Sequence, residues 1–225
     1  MHLIEMNDIG KDYVDGTSKV DAIKKMDIVI DDGEFVGIMG QSGSGKSTLL
    51  SILGGLNRPT RGRVFVDTLD IYELSNEQRA DFRSEYIGII FQSFQLIPYL
   101  TVKENIKLPM AITGIKTGVQ EEMALNVLEK VGLENKAMRL PDQLSGGEQE
   151  RVAIARAIVN NPPILLADEP TGNLDSKTAM EVISLLKQLN KEKQTIIMVT
   201  HNPEMCGHTG RTIQVKDGRI NTNWR

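Results

Sequence analysis

Apolar and polar residues alternate at residues 3–10 and again at residues 22–30, a pattern typical of strands that bury one face. This alternation and the short apolar runs that follow it predict strands at residues 3–10, 22–30, 35–39 and 64–66. Asp31-Asp32-Gly33 indicates the turn that leads into the third of these strands. Residues 86–91 form an almost wholly apolar run, as expected of a strand that is covered on both faces.

Helical periodicity dominates the middle of the chain, which we predict to form a separate helical lobe over residues 93–160. Side chains suited to begin helices, as N-caps or capping boxes, occur at Ser75, Thr101 and Ser145. Gly132 is predicted to end a helix at residues 119–131, and the helix that begins after Ser145 is predicted to run to Asn160.

In the last third of the chain, strands alternate with helices. Apolar strands are predicted at residues 164–167 and 195–199. An amphipathic helix is predicted between them, at residues 178–189. The alternation indicates an α/β fold with a mainly parallel sheet and right-handed crossovers. Asp217-Gly218 predicts a closing hairpin with strands at residues 212–216 and 219–222.

The strand predicted at residues 35–39 runs into a glycine-rich loop and then into a helix. The loop matches the phosphate-binding pattern G-x-x-x-x-G-K-[ST], with the residues Gly40, Gln41, Ser42, Gly43, Ser44, Gly45, Lys46, Ser47 and Thr48. Glycines let backbone N–H groups curl around phosphate oxygens, and the helix directs its positive dipole end at the same anion. Lys46 is expected to reach the β- and γ-phosphates, and Ser47 to ligate Mg²⁺. A flexible Gly/Ser loop is the alternative interpretation.

The apolar strand at residues 164–167 ends in two carboxylates, Asp168 and Glu169. Because ligands bind beyond the carboxyl ends of parallel strands, both side chains are expected to face the ligand crevice. Asp168 is predicted to hold Mg²⁺ through water, and Glu169 to orient or deprotonate the attacking water. A pair of solvated surface acids is a credible alternative for Asp-Glu taken alone.

A second helix start suited to anions lies at residues 144–149, where Ser145, Gly146 and Gly147 open a helix. One phosphate loop is enough to grip one triphosphate. A second phosphate-binding element on a separate lobe therefore implies a composite site. An ordinary N-cap followed by a glycine turn is the alternative.

Composition narrows the class of protein without identifying it. The chain has 225 residues, a formal net charge of −4 from 26 basic and 30 acidic residues, and one cysteine, Cys206. The acidic balance argues against a general nucleic-acid binder, and Cys206 is interpreted as a passive thiol. No signal peptide is evident, and the apolar runs are too short to span a bilayer. Any spanning helices are therefore expected to come from another polypeptide.

The order and spacing of the motifs resemble those of ATP-binding cassette (ABC) ATPases over essentially the whole chain. The motifs are the phosphate loop, residues 144–149, Asp168-Glu169, Asn173-Leu174-Asp175 and His201. The resemblance implies an α/β P-loop NTPase core (residues 1–92 and 161–225) with an N-terminal antiparallel β subdomain and an inserted helical signature subdomain (residues 93–160). It also implies ATP and Mg²⁺ as cofactors, a homodimer around two ATP, and a separate transmembrane permease that keeps the chain at the inner face of the cell membrane.

The resemblance further assigns roles to single residues. Gln92 is expected to contact Mg²⁺ and sense the permease, and His201 to donate a hydrogen bond to the γ-phosphate. Tyr13 is expected to stack on adenine, and Asp175 to communicate between the halves of the dimer. The alternatives are a strand-end polar residue at Gln92, a structural His201 and a surface Tyr13. An N-cap at Asp175 is compatible with its dimer role.

Two positions depart from the family's pattern. Glu148 stands where glutamine is more common, and its carboxylate is expected to point away from the γ-phosphate. Asn202 follows the histidine where aspartate is common. This departure puts the local helix cap in question, but not the role expected of His201.

Residues 91–101, 104–106 and 168–175 resemble one branch of the family, which includes lipoprotein-releasing, macrolide-exporter and cell-division ATPases. We therefore expect an ATP-hydrolysing subunit that drives a permease, whose cytoplasmic helix would enter a groove near residues 92–100. Two alternatives stay open: a membrane-associated regulator of cell division, and a soluble ABC ATPase that acts on DNA or ribosomes. The chain lacks the long heptad segments and the second cassette typical of the latter.

Overall fold

The computed structural model describes residues 2–16 and 18–221, and within them the chain forms one mixed sheet of ten strands. The strands are β1 (His2–Asp15), β2 (Ser18–Asp31), β3 (Phe35–Met39), β4 (Arg61–Val66), β5 (Leu69–Asp70), β6 (Ile87–Ile90), β7 (Ile164–Asp168), β8 (Thr195–Thr200), β9 (Arg211–Lys216) and β10 (Arg219–Ile220). Their order across the sheet is β5-β4-β1-β2-β10-β9-β3-β8-β7-β6. The strands from β9 to β6 are parallel, whereas β1, β2, β4 and β5 are antiparallel, so the predicted α/β class with an antiparallel N-terminal part is confirmed.

Seven α-helices and three short 3₁₀ segments connect these strands in the described part of the chain. The helices are α1 (Lys46–Leu53), α2 (Asn76–Tyr86), α3 (Val102–Lys107), α4 (Thr117–Lys130), α5 (Gly146–Ile158), α6 (Ser176–Lys191) and α7 (Pro203–Cys206), and the 3₁₀ segments are Leu108–Ile112, Glu134–Lys136 and Pro141–Gln143. No helix among residues 2–16 and 18–221 is both long and apolar enough to cross a membrane.

The predicted strands are confirmed, with differences at their ends. β1 and β2 extend beyond their predicted limits into a long hairpin in which Tyr13 pairs with Val20. Both side chains are exposed, so this part of the hairpin has no alternation of buried and exposed residues. The sequence pattern therefore could not predict it. The closing hairpin is also present, but its second strand is described only to Ile220, and the predicted end at Thr222 lies outside the described residues.

The predicted helix starts are confirmed in atomic detail. The side chains of Ser75, Thr101 and Ser145 each accept a hydrogen bond from the backbone N–H three residues later. In return, the backbone N–H of each donates to the side chain of that later residue, which completes a capping box. Gly132 adopts φ 68° directly after α4, as a helix stop requires. Asn202 caps α7 by accepting from the Glu204 N–H at 2.9 Å, so the departure from aspartate retains the cap.

Two hydrophobic clusters cover the two faces of the parallel strands. β8 shows the division most simply, since Ile196 and Met198 belong to one cluster and Ile197 and Val199 to the other. The first cluster joins the sheet to α3, α4, α5 and α6, and the second joins it to α1 and the antiparallel strands. The division into a core and a helical subdomain at residues 93 and 160 stays a prediction.

One buried carboxyl group stands out in α5. Glu150 is 1% exposed, and neither carboxyl oxygen has a hydrogen-bond partner in the described structure. Burial raises the pKa of Glu150 to about 8, against the opposing charge of Arg156. The group is therefore protonated in the folded chain at pH values where it is ionised in the unfolded chain.

Replacing Glu150 by glutamine should stabilise the chain, and increasingly so as the pH rises. Because folding raises the pKa of Glu150, the wild-type chain has its full stability below about pH 4.5 and loses stability as the pH rises towards 8. Glutamine does not titrate and avoids this loss. Between pH 5 and pH 8, the free energy of unfolding of the wild type should fall by roughly 2–4 kcal/mol relative to that of Glu150→Gln. Urea unfolding at several pH values measures this difference.

Glu148→Gln is the matched control, because backbone and Lys136 contacts lower the pKa of Glu148. Glu148 stabilises the folded chain by a nearly constant amount above its usual pKa and loses that contribution only as the pH falls through the lowered pKa. The difference in stability between Glu148→Gln and the wild type should therefore hardly change between pH 5 and pH 8. A difference between Glu150→Gln and wild type that is the same at pH 5 and pH 8 would contradict the assignment of a neutral buried carboxyl.

Candidate functional site

The glycine-rich loop between β3 and α1 is shaped by close backbone contacts. Gly45 adopts φ 101° at the N-cap of α1, and a Cβ there would collide with the carbonyl oxygen of Ala22 in β2. A Cβ at Gly40 would collide with the carbonyl oxygen of Val215 in β9. The sheet therefore fixes the path of the loop and excludes side chains at these two positions.

The start of α1 is open to an anion. In the described part of the chain no side chain caps this helix, so the N–H groups of its first turn have no side-chain acceptor there. Lys46 is 5% exposed and folds back over the loop, where its Nζ donates to the Gln41 carbonyl oxygen at 2.9 Å. The hydroxyl of Ser44 is buried and has no hydrogen-bond partner within residues 2–16 and 18–221. The backbone donors and the ammonium group together form a cradle for phosphate oxygens.

Ser47 and Asp168 contact each other beside the phosphate loop. The Ser47 hydroxyl donates to Asp168 Oδ1 at 3.2 Å, which joins the first turn of α1 to the carboxyl end of β7. Burial, and to a lesser extent the charge of Glu169, raise the pKa of Asp168 above its usual range. A half-buried carboxylate beside a second carboxylate favours a bound cation, and hydroxyl and carboxylate oxygens are the ligands that Mg²⁺ prefers. These two residues therefore fit the predicted magnesium site.

Glu169 and His201 form a pair across the carboxyl ends of β7 and β8. Glu169 Oε2 lies 2.7 Å from His201 Nδ1. Glu169 has φ 49°, which is uncommon for a residue with a side chain, and its N–H donates to the Val199 carbonyl oxygen at 2.9 Å. This backbone turn directs the carboxylate into the cleft and towards the histidine. A carboxylate in that position is suited to act as a general base towards a water molecule.

Most of these residues line one open cleft of about 1140 Å³, but Ser44 and Asp168 are not among its lining residues. Of the predicted residues it contains most of the phosphate loop together with Gln92, Glu169 and His201. The cleft also has a side that the sequence analysis missed, formed by Val20, Asp21, Ala22, Lys24, Gln214, Asp217 and Gly218. These residues come from β2 and the β9–β10 hairpin. Because only the order of strands in the sheet brings them beside the loop, no local motif marks them.

The cleft lining also lacks the predicted residues Ser145, Gly146, Gly147 and Asp175. Ser145 accepts from the Glu148 N–H at 3.3 Å, and the Glu148 carboxylate accepts from the Ser145 N–H at 2.9 Å. The same carboxylate pairs with Lys136 at 3.0 Å, so it turns back over the helix start. Asp175 caps α6 by accepting from the N–H groups at positions 177 and 178. Within one chain, the start of α5 is therefore separate from the phosphate loop.

Gly146 and Gly147, the two glycines of this helix start, differ in their surroundings. A Cβ at Gly147 would collide with the Thr178 side chain, whereas a Cβ at Gly146 would make an ordinary contact with Leu174 at 3.5 Å. Gly147 is thus required for packing within the chain, and Gly146 is free to serve a surface role.

Tyr13 also lies outside the residues that line the cleft. Its hydroxyl accepts from Asn57 Nδ2 at 2.6 Å, and Lys11 Nζ lies 5.2 Å from the ring centre. Its strand partner Val20 lines the cleft and is 60% exposed. The role of Tyr13 against adenine stays a prediction.

Comparison with known proteins matches residues 23–172 to the family described as ABC transporter. The chain is 43% identical over 219 residues to the lipoprotein-releasing system ATP-binding protein LolD of Geobacter metallireducens, covering 97% of each. It is 44% identical over 220 residues to the macrolide export ATP-binding/permease protein MacB of Aggregatibacter actinomycetemcomitans, covering 98% of this chain and 34% of MacB. Among solved structures, the dimeric post-hydrolysis state of the ATP-binding cassette MJ0796 with ADP and Pi matches at 42% identity, with a TM-score of 0.89 over 97% of this chain and 96% of that one.

Proposed function

The chain belongs to the ABC transporter family as an ATP-binding cassette, and from this premise we propose that it hydrolyses ATP with Mg²⁺ as a homodimer coupled to a separate permease. The observation that carries the proposal is the convergence on one cleft of the phosphate loop, the Ser47–Asp168 contact and the Glu169–His201 pair. The first binds phosphate, the second suits a magnesium ion, and the third can manage the attacking water.

Each residue has a chemical task in this proposal. The loop amides and Lys46 bind the β- and γ-phosphates, and they offset negative charge on the oxygens as the terminal bond breaks. Ser47, Asp168 and Gln92 would hold Mg²⁺, which supplies charge neutralisation of the phosphates when it is bound. Glu169 accepts the proton of the attacking water, while His201 orients that carboxylate through the 2.7 Å contact and donates to the γ-phosphate.

The second phosphate-binding element completes the site from another copy of the chain. Ser145 and Gly146 are exposed at the start of α5, away from their own cleft. A two-fold pairing would bring this helix start of each copy onto the triphosphate of the other. The dimeric state of MJ0796 with ADP and Pi supports this arrangement by similarity. Asp175, on the neighbouring α6 cap, then lies where the halves would communicate.

A permease supplies the membrane-spanning part. A groove of about 370 Å³ between α2, β6 and the end of α5 is lined on much of its surface by apolar side chains, including Leu56, Phe91 and Ile112. Leu56 and Ile112 are exposed. The sequence predicts a permease groove near residues 92–100, and this groove lies next to that segment, at Phe91, without including it. We propose that this groove receives a cytoplasmic helix of the permease, which would hold the chain at the inner face of the membrane. The name of MacB, which joins ATP-binding and permease functions, supports such a partner.

Phosphate release with the permease present tests the proposed function. The proposed permease, reconstituted in liposomes with this chain, should change the rate of Mg²⁺-dependent phosphate release several-fold relative to the chain alone. Permease without the chain is the control for contaminating ATPases. Absence of phosphate release under both conditions would refute the hydrolytic role, and an unchanged rate would refute the coupling.

A further inference from the structure

We propose that Arg156 is a positioning residue that holds the turn after Gln92 and thereby places Gln92 in the cleft. The inference rests on the proposed function for its effect on hydrolysis, but its structural part stands separately. Arg156 lies in α5, the helix that begins at Ser145, whereas Gln92 follows β6 and lines the cleft. A single side chain therefore connects the helix of the second phosphate-binding element with the turn that follows Gln92.

The contacts of Arg156 are directed at the backbone of the turn. Its Nη1 donates to the Gln95 carbonyl oxygen at 2.6 Å, and its Nη2 donates to the Phe94 carbonyl oxygen at 2.7 Å. Two short charge-assisted bonds from one planar group fix both position and orientation. Arg156 forms no ion pair among the described residues, and the nearby buried carboxyl group of Glu150 accepts no hydrogen bond from it. The hydrogen bonds of the guanidinium group therefore go to the turn.

The turn needs such support because its backbone is unusual. Phe94 and Gln95 adopt φ 57° and 50° in succession, a left-handed conformation that side chains disfavour. The Phe94 N–H donates to the Phe91 carbonyl oxygen and closes a tight turn that contains Gln92, while the Gln95 N–H donates to the Ser93 carbonyl oxygen and closes a second turn at Phe94. A conformation of this kind persists only where the surroundings determine it, and the bonds from Arg156 are the side-chain contacts that do so.

Gln92 is thereby held from both sides. Its carbonyl oxygen accepts from Asn173 Nδ2 at 2.8 Å, and the turn that follows it is bound by Arg156. The ring of Phe94 also approaches the start of α5, since a Cβ at Gly146 would lie 4.0 Å from its Cζ. Any displacement of α5 against the sheet would therefore move the turn, and Gln92 with it.

Amide hydrogen exchange tests the structural part without any need for hydrolysis. Arg156→Met should speed exchange of the Phe94 and Gln95 amides at least tenfold, because the bonds that close the turn lose their support. Arg156→Lys can reach one carbonyl oxygen but not both, so its exchange rates should lie between those of the wild type and Arg156→Met. It replaces Arg156→Met in the test if that variant does not fold. Arg151→Met is the matched control on the same helix, since Arg151 pairs with Glu181 and not with the turn. Unchanged exchange in both Arg156 variants would overturn the proposal.

A double-mutant cycle with Gln92→Ala tests the path through Gln92. Arg156→Met alone should lower kcat about tenfold with little change in the Kd for ATP, and it should add no further loss in the Gln92→Ala background. Losses that multiply in the double variant would show that Arg156 acts by another route. If the wild-type chain releases no phosphate, the proposed function fails while the exchange result still decides the role of Arg156.

Discussion

Replacing Glu169 by glutamine should reduce the rate of ATP hydrolysis by ~10²-fold or more while ATP continues to bind. Glutamine has nearly the same shape but cannot accept a proton from water. The phosphate cradle lies on β3 and α1 and does not depend on Glu169, whose carboxylate contacts His201 at 2.7 Å. Single-turnover phosphate release and equilibrium binding of labelled ATP measure the two effects separately.

Glu192→Gln is a suitable control for the same chemical change, because Glu192 pairs with Lys130 on an exposed surface. That variant should hydrolyse ATP at the wild-type rate. Normal turnover in Glu169→Gln would remove Glu169 from the role of general base. Loss of ATP binding in the same variant would instead indicate that the carboxylate supports the cleft structurally.

Lys46→Ala should weaken the binding of ATP itself, by about 10- to 100-fold, since hydrogen bonds to charged groups contribute about 1.5–3 kcal/mol. Lys46 is buried over the phosphate loop, and its contact with the Gln41 carbonyl oxygen shows that its ammonium group points along the cradle. Titration calorimetry with ATP measures the change.

Lys187→Ala on the exposed side of α6 provides the matched control and should leave the affinity for ATP unchanged. Circular dichroism of Lys46→Ala should retain the wild-type spectrum, because the lost bond lies in a loop. An unchanged affinity for ATP in a folded Lys46→Ala variant would refute the assignment of the phosphate loop.

Local patterns in the sequence predicted what local physics determines. The capping boxes at Ser75, Thr101 and Ser145 are each complete within four residues, and all three form as expected. The glycine-rich loop likewise carries its own requirements, because Gly40 and Gly45 are the positions where a Cβ would meet the backbone of neighbouring strands. The order of motifs was enough to indicate the family and the fold.

Features that depend on distant pairing could not be predicted in this way. The missed side of the cleft comes from β2 and the β9–β10 hairpin, which meet the loop only through the strand order of the sheet. The positive φ angles of Phe94, Gln95 and Glu169 belong to residue types that rarely adopt them, so no residue preference marks these turns. The hydrogen bonds of Arg156 span more than sixty positions and have no sequence signature.

In the proposed dimer, a second copy of the chain completes each ATP site through Ser145 and Gly146. Light scattering of the Glu169→Gln variant with saturating ATP and Mg²⁺ tests it most directly, with Gly146→Glu in the same background as the comparison. Gly146 has room for a side chain within its own chain, so the added carboxylate should disturb only a partner's triphosphate.

The predicted result is a molar mass that doubles from that of a 25.0 kDa chain when ATP is added, and that stays monomeric in the Gly146→Glu variant although ATP binds with the same affinity. A monomer that has demonstrably bound ATP, or a dimer that forms equally in the presence of Gly146→Glu, would contradict the composite site.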